Sequence, residues 1–516
     1  MRPDHEASAQ PLGSRVTPGP GSPVAFAPLI ALRRLLEVRP HRSGPHDARR
    51  GGPDEAHPAR GIGAPGGETP VAGPRSAGRT ALPAPDGGKA RPASLLRTGC
   101  CIVGGGPAGM VLGLLLAREG VSVTVLEARK DFDREFRGNT ISPSVLEGME
   151  DLGLAERLME LPHARIPEFT VRTAGGPFVF ADFRRLKTRH PYVLMLSQAR
   201  FLEFVAAEAR SYPGFRLLMG VRVNGLIEEG DEVRGVAYRG PDGPGEARAP
   251  LTVGADGRFS RVRRLSGLQA VKGSPPMDVF WFKLPRREGD PEDAGAVFRF
   301  GPRSLLVLMD HFDHWQVGYV IEKGGYGRLR AAGLPALRRS VAGLAPELSD
   351  RVDHLKEWRQ GSLLSVESDR LRRWHRPGLL LIGDAAHVAS PVGGVGINLA
   401  IGDAVVAANV LAGPLGSGDL QPRHLALVQR RREWPTRLVQ GAQAAVQRWV
   451  VSGALDSDRP FELPAFLRLL LRAPVLRDLP ARLIASGAWP ARAGRRDYPI
   501  YPENPTHVFS RRYRSA

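Results

Sequence analysis

Cysteine is nearly absent: the 516 residues contain two, the neighbours Cys100 and Cys101. Adjacent cysteines cannot build a disulfide framework, so the chain reads as one kept in a reducing compartment, the cytoplasm. Long apolar runs are missing too, since none reaches the ~18 residues that span a bilayer. The short stretch Val24–Leu32 follows Asp4 and Glu6 and precedes Arg33 and Arg34, the wrong order for a secretory signal. No integral membrane association is expected. Aromatics make up only 7% of the chain. The net charge is +19 and the pI near 10.7, but arginine is spread along the sequence and no basic block interleaves with aromatics, so no nucleic-acid partner is expected. That charge suits a solvated arginine-rich surface or attraction of a phosphorylated nucleotide. The run Asp310-His311-Phe312-Asp313-His314 has no further ligands at zinc-like spacing, so it reads as a polar turn and no metal is expected.

Glycine and proline, by contrast, are abundant at the start. Residues 1–97 hold 30 of them with no sustained periodicity, the composition of a disordered extension. The remainder is long enough for two or three domains.

The stretch Cys101–Glu127 reads as strand, glycine loop, helix and second strand. Gly104, Gly106 and Gly109 have G-x-G-x-x-G spacing, which permits a tight turn, close backbone approach to a pyrophosphate, and close helix packing. Pro107 suits the first helical turn, where Ala108 comes next and free N–H groups face phosphates. Glu127 lies 23 positions beyond Gly104, suited to accept from a ribose hydroxyl, with Ala128 beside it. This loop alone does not separate NAD from FAD.

Further on, Ser144 and Glu147 suggest a capping box, with Gly153 stopping the helix. Phe169–Phe183 suggests a hairpin turning at Gly175–Gly176, and Tyr192–Leu196 a strand. Ser197 is expected to cap a helix that runs to Pro213–Gly214, and β segments lie beyond it at Phe215–Glu228 and Val233–Arg239. Residues 275–370 read mostly as an antiparallel sheet with a helical insert near Arg328–Ala345. A long amphipathic helix runs from Arg423 to about Val450 and is expected to kink before Pro435. Leu463–Ile484 mixes leucine with arginine and reads as a packed helical cover.

Two other stretches carry chemistry. In Leu251–Arg263 a strand delivers Asp256 to its carboxyl end, Gly257 permits a turn, and Ser260 and Arg263 open a helix one turn apart. In Gly378–Leu411 a buried strand ends at Gly383-Asp384, and the loop Pro391–Gly396 opens a helix. Gly393, Gly394, Val395 and Gly396 bear little side chain, so their amides can approach a flat ligand and stabilise negative charge.

Together these stretches resemble the flavin-dependent aromatic hydroxylases of the p-hydroxybenzoate hydroxylase type, over about Thr98–Gly413. The matching motifs are G-x-G-x-x-G at Gly104–Gly109, D-G-x-x-S-x-V-R at Asp256–Arg263, and G-D-A-A-H followed by P-x-G-G-x-G-x-N at Gly383–Asn398. The resemblance implies an α/β fold with an α+β second domain. A Rossmann-like FAD-binding domain (98–168, 197–274, 371–422) would carry an inserted antiparallel-sheet substrate domain (169–196, 275–370) and a C-terminal helical region (423–516). It implies FAD contacts from Arg137, Gln198, Asp256, Gly257, Arg263, Gly383, Asp384, Pro391, Gly394, Gly396, Ile397 and Asn398, beside those of the first motif. His387 would be structural. The implied activity is hydroxylation of a phenolic or polyketide-like small molecule with NAD(P)H and O2, through a flavin C(4a)-hydroperoxide, by a monomer or homodimer. No catalytic base is identified. Two alternatives stand: a reductase of the geranylgeranyl reductase type, and a basic binding protein with structural FAD. A halogenase is disfavoured because W-x-W-x-I-P is missing; Phe280–Pro285 lacks the second tryptophan.

Overall fold

The computed structural model describes residues 94–133, 140–290, 295–456 and 477–486. The described residues belong to one compact unit.

The chemistry is organised by a six-stranded sheet in the order His375–Arg376, Leu379–Leu381, Leu251–Gly254, Cys100–Val103, Val123–Glu127, Phe215–Met219. All its pairings are parallel except the edge His375–Arg376. Its four inner strands are buried along their whole length and mostly apolar, as in sheets covered on both faces. Cys100 and Cys101 are fully buried there, and burial pushes the Cys101 thiol up to about 12. Strand register aligns the ends: Gly254 is level with both Val103 and Leu381. Three strands therefore end together, and the glycine loop, Asp256 and Asp384 all emerge at one carboxyl edge, where ligands bind in such sheets.

A second sheet of seven strands runs Gly361–Leu364, Met277–Pro285, His314–Glu322, Ser304–Asp310, Ala296–Gly301, Glu168–Thr173, Gly176–Asp182. The expected hairpin forms its edge. The sheet is not purely antiparallel, because Ala296–Arg299 pairs in parallel with Phe169–Arg172. The reason is topological: the hairpin enters from an earlier part of the chain, and only a long connection can bring a parallel partner alongside. Helices Tyr326–Ala332 and Leu334–Leu344 form the insert, and the second packs its buried Leu337 and Val341 into the cluster on one face of this sheet.

Several expectations require correction. Ser94–Arg97, inside the stretch expected to be disordered, is a strand paired in parallel with Gly245–Arg248. Phe215–Glu228 is two strands in different sheets, because Gly220 takes φ 72° and turns the chain between them. The helix at Pro143–Asp151 begins too early for Ser144 to cap it, with Ser142 at the N-cap and Pro143 in the first turn. Glu147 instead accepts from Thr188 Oγ1 at 2.6 Å. The long helix expected from Arg423 spans Pro422–Val446, with Pro435 inside it. Of the C-terminal cover, Leu479–Ser486 is a helix burying Ala481, Ile484 and Ala485, and residues 463–476 lie outside the described residues. Among the described residues, one helical stretch, Val392–Ser417, is long and apolar enough to cross a membrane, but 72% of its apolar window is buried. It packs against the helix Pro107–Arg118 and the helix Pro422–Val446.

Candidate functional site

A cavity of about 790 Å³ lies between the carboxyl edge of the six-stranded sheet and one face of the seven-stranded sheet. Its first wall is the glycine loop. Gly104 has φ 107°, and a Cβ there would sit 2.4 Å from the Ala255 carbonyl oxygen, so only glycine allows the neighbouring strand ends to meet. A Cβ on Gly109 would lie 2.0 Å from Gly104 O, which makes it a packing residue that does not line the cavity. Gly106, Pro107 and Ala108 do line it. Glu127 is 5% exposed and also lines it; its carboxylate accepts from the N–H of Gly105 at 2.7 Å and of Arg129 at 2.9 Å. It thus orders the loop as well as presenting acceptor oxygen to the cavity, with Ala128 alongside. Gln198, buried at the start of its helix, lines the same wall.

Asp256 and Gly257 also reach the cavity. Burial raises the Asp256 carboxyl above its usual range, partly offset by bonds from the Ser260 hydroxyl and from the N–H groups of Val262 and Arg261. Arg263 does not join the site. Its guanidinium donates to both Asp369 oxygens, at 3.0 and 2.7 Å, a fork that clamps the helix to a neighbouring strand. Arg137 lies outside the described residues.

The opposite wall is the loop Pro391–Gly396, all of which faces the cavity along with Asp384 and Ile397. Gly393 and Gly394 have φ of 79° and 64°. Thr140 Oγ1 donates to Gly394 O at 2.7 Å. Asn398 points away from the cavity, accepting from Ser142 N–H at 2.9 Å and donating to Thr140 O at 3.1 Å, and so ties the loop to a distant strand. Gly383 is likewise outside, donating its N–H to Asp403 at 2.9 Å. His387 Nε2 lies 2.6 Å from Asp403, and Arg432 Nε donates to the other Asp403 oxygen at 2.7 Å. Burial opposes the Asp403 charge, but His387 and Arg432 hold its carboxyl below the usual range. His387 is therefore part of a buried strut between loop and helix.

Sequence reasoning missed the floor and the rear. Phe298, Phe300, Met309, Trp281 and Gln316 present one face of the seven-stranded sheet to the cavity. Their alternation along strands signals a shared face, but not what that face opposes. Trp281 leans over Gly318, where a Cβ would lie 2.7 Å from the indole. Gln443 and Ile484 arrive from the C-terminal helices. His311, Asp313 and His314 bring ligand-type atoms within 4.8 Å of one another, with His314 Nδ1 2.6 Å from Asp313 Oδ1, in a turn that does not line the cavity.

The geometry fits a bound dinucleotide. The helices Pro107–Arg118 and Gly396–Ser417 both begin at the cavity, and neither N-cap residue supplies a side-chain bond. Two helix starts with uncapped amides thus face one cavity, one suited to a pyrophosphate and one to the pyrimidine side of a flavin.

Comparison with known proteins agrees. The FAD binding domain family matches residues 97–442. The chain is 36% identical to 6-methylpretetramide 4-monooxygenase of Streptomyces rimosus, over 76% of this chain and 93% of that one. It is 27% identical to digeranylgeranylglycerophospholipid reductase 2 of Methanothermobacter thermautotrophicus, over 72% and 90%. The solved structure of the OxyS anhydrotetracycline hydroxylase from Streptomyces rimosus superposes with a TM-score of 0.59 at 25% identity, covering 76% of each chain. With its three motifs gathered on one cavity, the chain belongs to the FAD binding domain family and is a flavin-dependent monooxygenase of the aromatic hydroxylase type.

Proposed function

We propose that this enzyme hydroxylates a polycyclic, phenolic aromatic molecule held between the loop Pro391–Gly396 and the sheet face of Trp281, Phe298 and Met309, with NAD(P)H as reductant. The observation that carries this reading is the unlike character of the two cavity halves. The half formed by Gly104, Gly106, Ala108, Glu127, Asp256 and Asp384 is polar and faces a helix start, whereas the sheet half is aromatic and aliphatic. FAD, when bound, supplies the hydride acceptance and O2 activation. The chain orients, dries and polarises. Gly106 and Ala108 would hold the FAD pyrophosphate, Glu127 its adenosine ribose, and the amides of Val395 and Gly396 the flavin's pyrimidine edge. The sheet excludes water and presents the substrate ring.

Among the described residues no titratable side chain of the seven-stranded sheet lines the cavity; its polar groups there are the Trp281 indole and the Gln316 amide. These orient the substrate by hydrogen bonding, and a phenol proton leaves toward water or the cofactor half. The similarity to a 6-methylpretetramide 4-monooxygenase supports a fused-ring substrate.

The test is to purify the protein, record its flavin spectrum and screen NADPH and NADH oxidation against phenols and fused-ring polyketides under ¹⁸O2. One labelled oxygen in the product is expected. Substrate-stimulated oxidation with no label in any product sinks the hydroxylase reading, and a product enriched by two hydrogens establishes a reductase.

A further inference from the structure

The loop Pro391–Gly396 is held within itself by one bond, from Gly394 N–H to Pro391 O at 3.0 Å, and beside it Ser390 Oγ accepts from Val392 N–H at 3.3 Å and from Gln447 Nε2; Pro391 lacks an N–H, and Gly393 and Gly394 lack side chains. Its trailing half is fixed by Thr140 and Asn398. Its leading half is fixed from the helix Pro422–Val446. There Gln443, 6% exposed, donates from Nε2 to Ser390 O at 2.8 Å and to Val392 O at 2.7 Å, and accepts from Ser390 N–H at 3.2 Å. One side-chain amide thereby grips the backbone on both sides of Pro391 with both donors and its acceptor. Gln440, one turn earlier, makes bonds of the same kind, to Asp369 O at 2.8 Å and Val388 O at 2.9 Å, but these carbonyls precede the loop, and Gln440 does not line the cavity.

We infer that Gln443 is a positioning residue that sets the aim of the loop amides at the flavin, and through them the flavin's reduction potential. This rests on the reading that the loop abuts the flavin. Amide dipoles stabilise added negative charge only when preorganised. Without the clasp, the carbonyls of Ser390 and Val392 lose their partner and the loop relaxes around Pro391.

Gln443→Met keeps the length and removes all three bonds; Gln440→Met removes two bonds from the same helix. Both are expected to lower the melting temperature. Gln443→Met alone is expected to weaken binding of reduced relative to oxidised flavin by roughly tenfold, which is about 30 mV more negative for a two-electron couple. It should also release more H2O2 per NAD(P)H. The readout is the midpoint potential of bound flavin, titrated with a chemical reductant and a reference dye, which needs neither substrate nor NAD(P)H. If Gln443→Met yields no folded flavoprotein, Gln443→Asn, one methylene too short to span both carbonyls, should shift the potential less but in the same direction. An unchanged potential in either folded variant, or an equal shift in Gln440→Met, overturns the assignment. That failure beside a wild type that inserts oxygen removes only the clasp, whereas a wild type without flavin removes the underlying reading as well.

Discussion

Single residues in this site are constrained by steric contacts or buried charge. A methyl group at Gly104 would strike a backbone oxygen of the adjacent strand, and neither partner can move without parting the strand ends. Gly104→Ala is therefore expected to yield protein without flavin, seen as loss of the visible absorption band. Asp403 is wholly buried between His387 and Arg432. Asp403→Ala strands the Arg432 charge, so a loss of roughly 3–5 kcal/mol in unfolding free energy is expected from urea titration. The glycine was legible in the sequence because one motif gives it one steric purpose. Gln443 was not, since a glutamine on an amphipathic helix looks like any polar surface residue until its carbonyl partners are known.

Strands and turns carry the apolar half of the cavity. Gly318 stands opposite Trp281, and the indole fills the space its missing side chain leaves. Gly318→Ala should push the indole off its position, raising KM for substrate roughly tenfold at unchanged flavin content. A similar KM would show that Trp281 does not contact the substrate. At the turn His311–His314, burial first, then His314 and Lys283, depress the His311 pKa to about 4 against an opposing pull from Asp313. An unfolded histidine titrates near ~6.5. Between these values the unfolded chain binds a proton that the folded chain refuses. The stabilisation is complete above that range and is lost as pH falls through it. Urea unfolding at pH 7.5, 5.5 and 4.5 should show this decline, and His311→Asn should flatten it. Strand periodicity revealed these elements in advance. The parallel joint between Ala296–Arg299 and Phe169–Arg172 was hidden, because pairing across that sequence distance leaves no local signal.

For the molecule as a whole, the glycine- and proline-rich start contributes a strand to the fold. Ser94–Arg97 pairs with Gly245–Arg248, and Ser94 Oγ lies 3.0 Å from the Tyr238 hydroxyl. A chain beginning at Ala93 is expected to keep wild-type flavin content and melting temperature. One beginning at Thr98 loses that strand and should melt lower by a few degrees, as followed by flavin fluorescence on heating.

The cofactor class was determined by the sequence alone. The glycines Gly104, Gly106 and Gly394 and the carboxylates at Glu127 and Asp384 form a local pattern of fixed spacing that the FAD binding domain match covers. Tertiary structure alone decided which of those residues face one another. Strand register brought Val103, Gly254 and Leu381 level, so motifs far apart in sequence share an edge. It also turned Arg263, Gly383 and Asn398 into struts, and brought Gln443 and the aromatic floor into the site. Contacts between residues distant along the chain depend on packing energy summed over the whole core, and that sum is not contained in any one stretch.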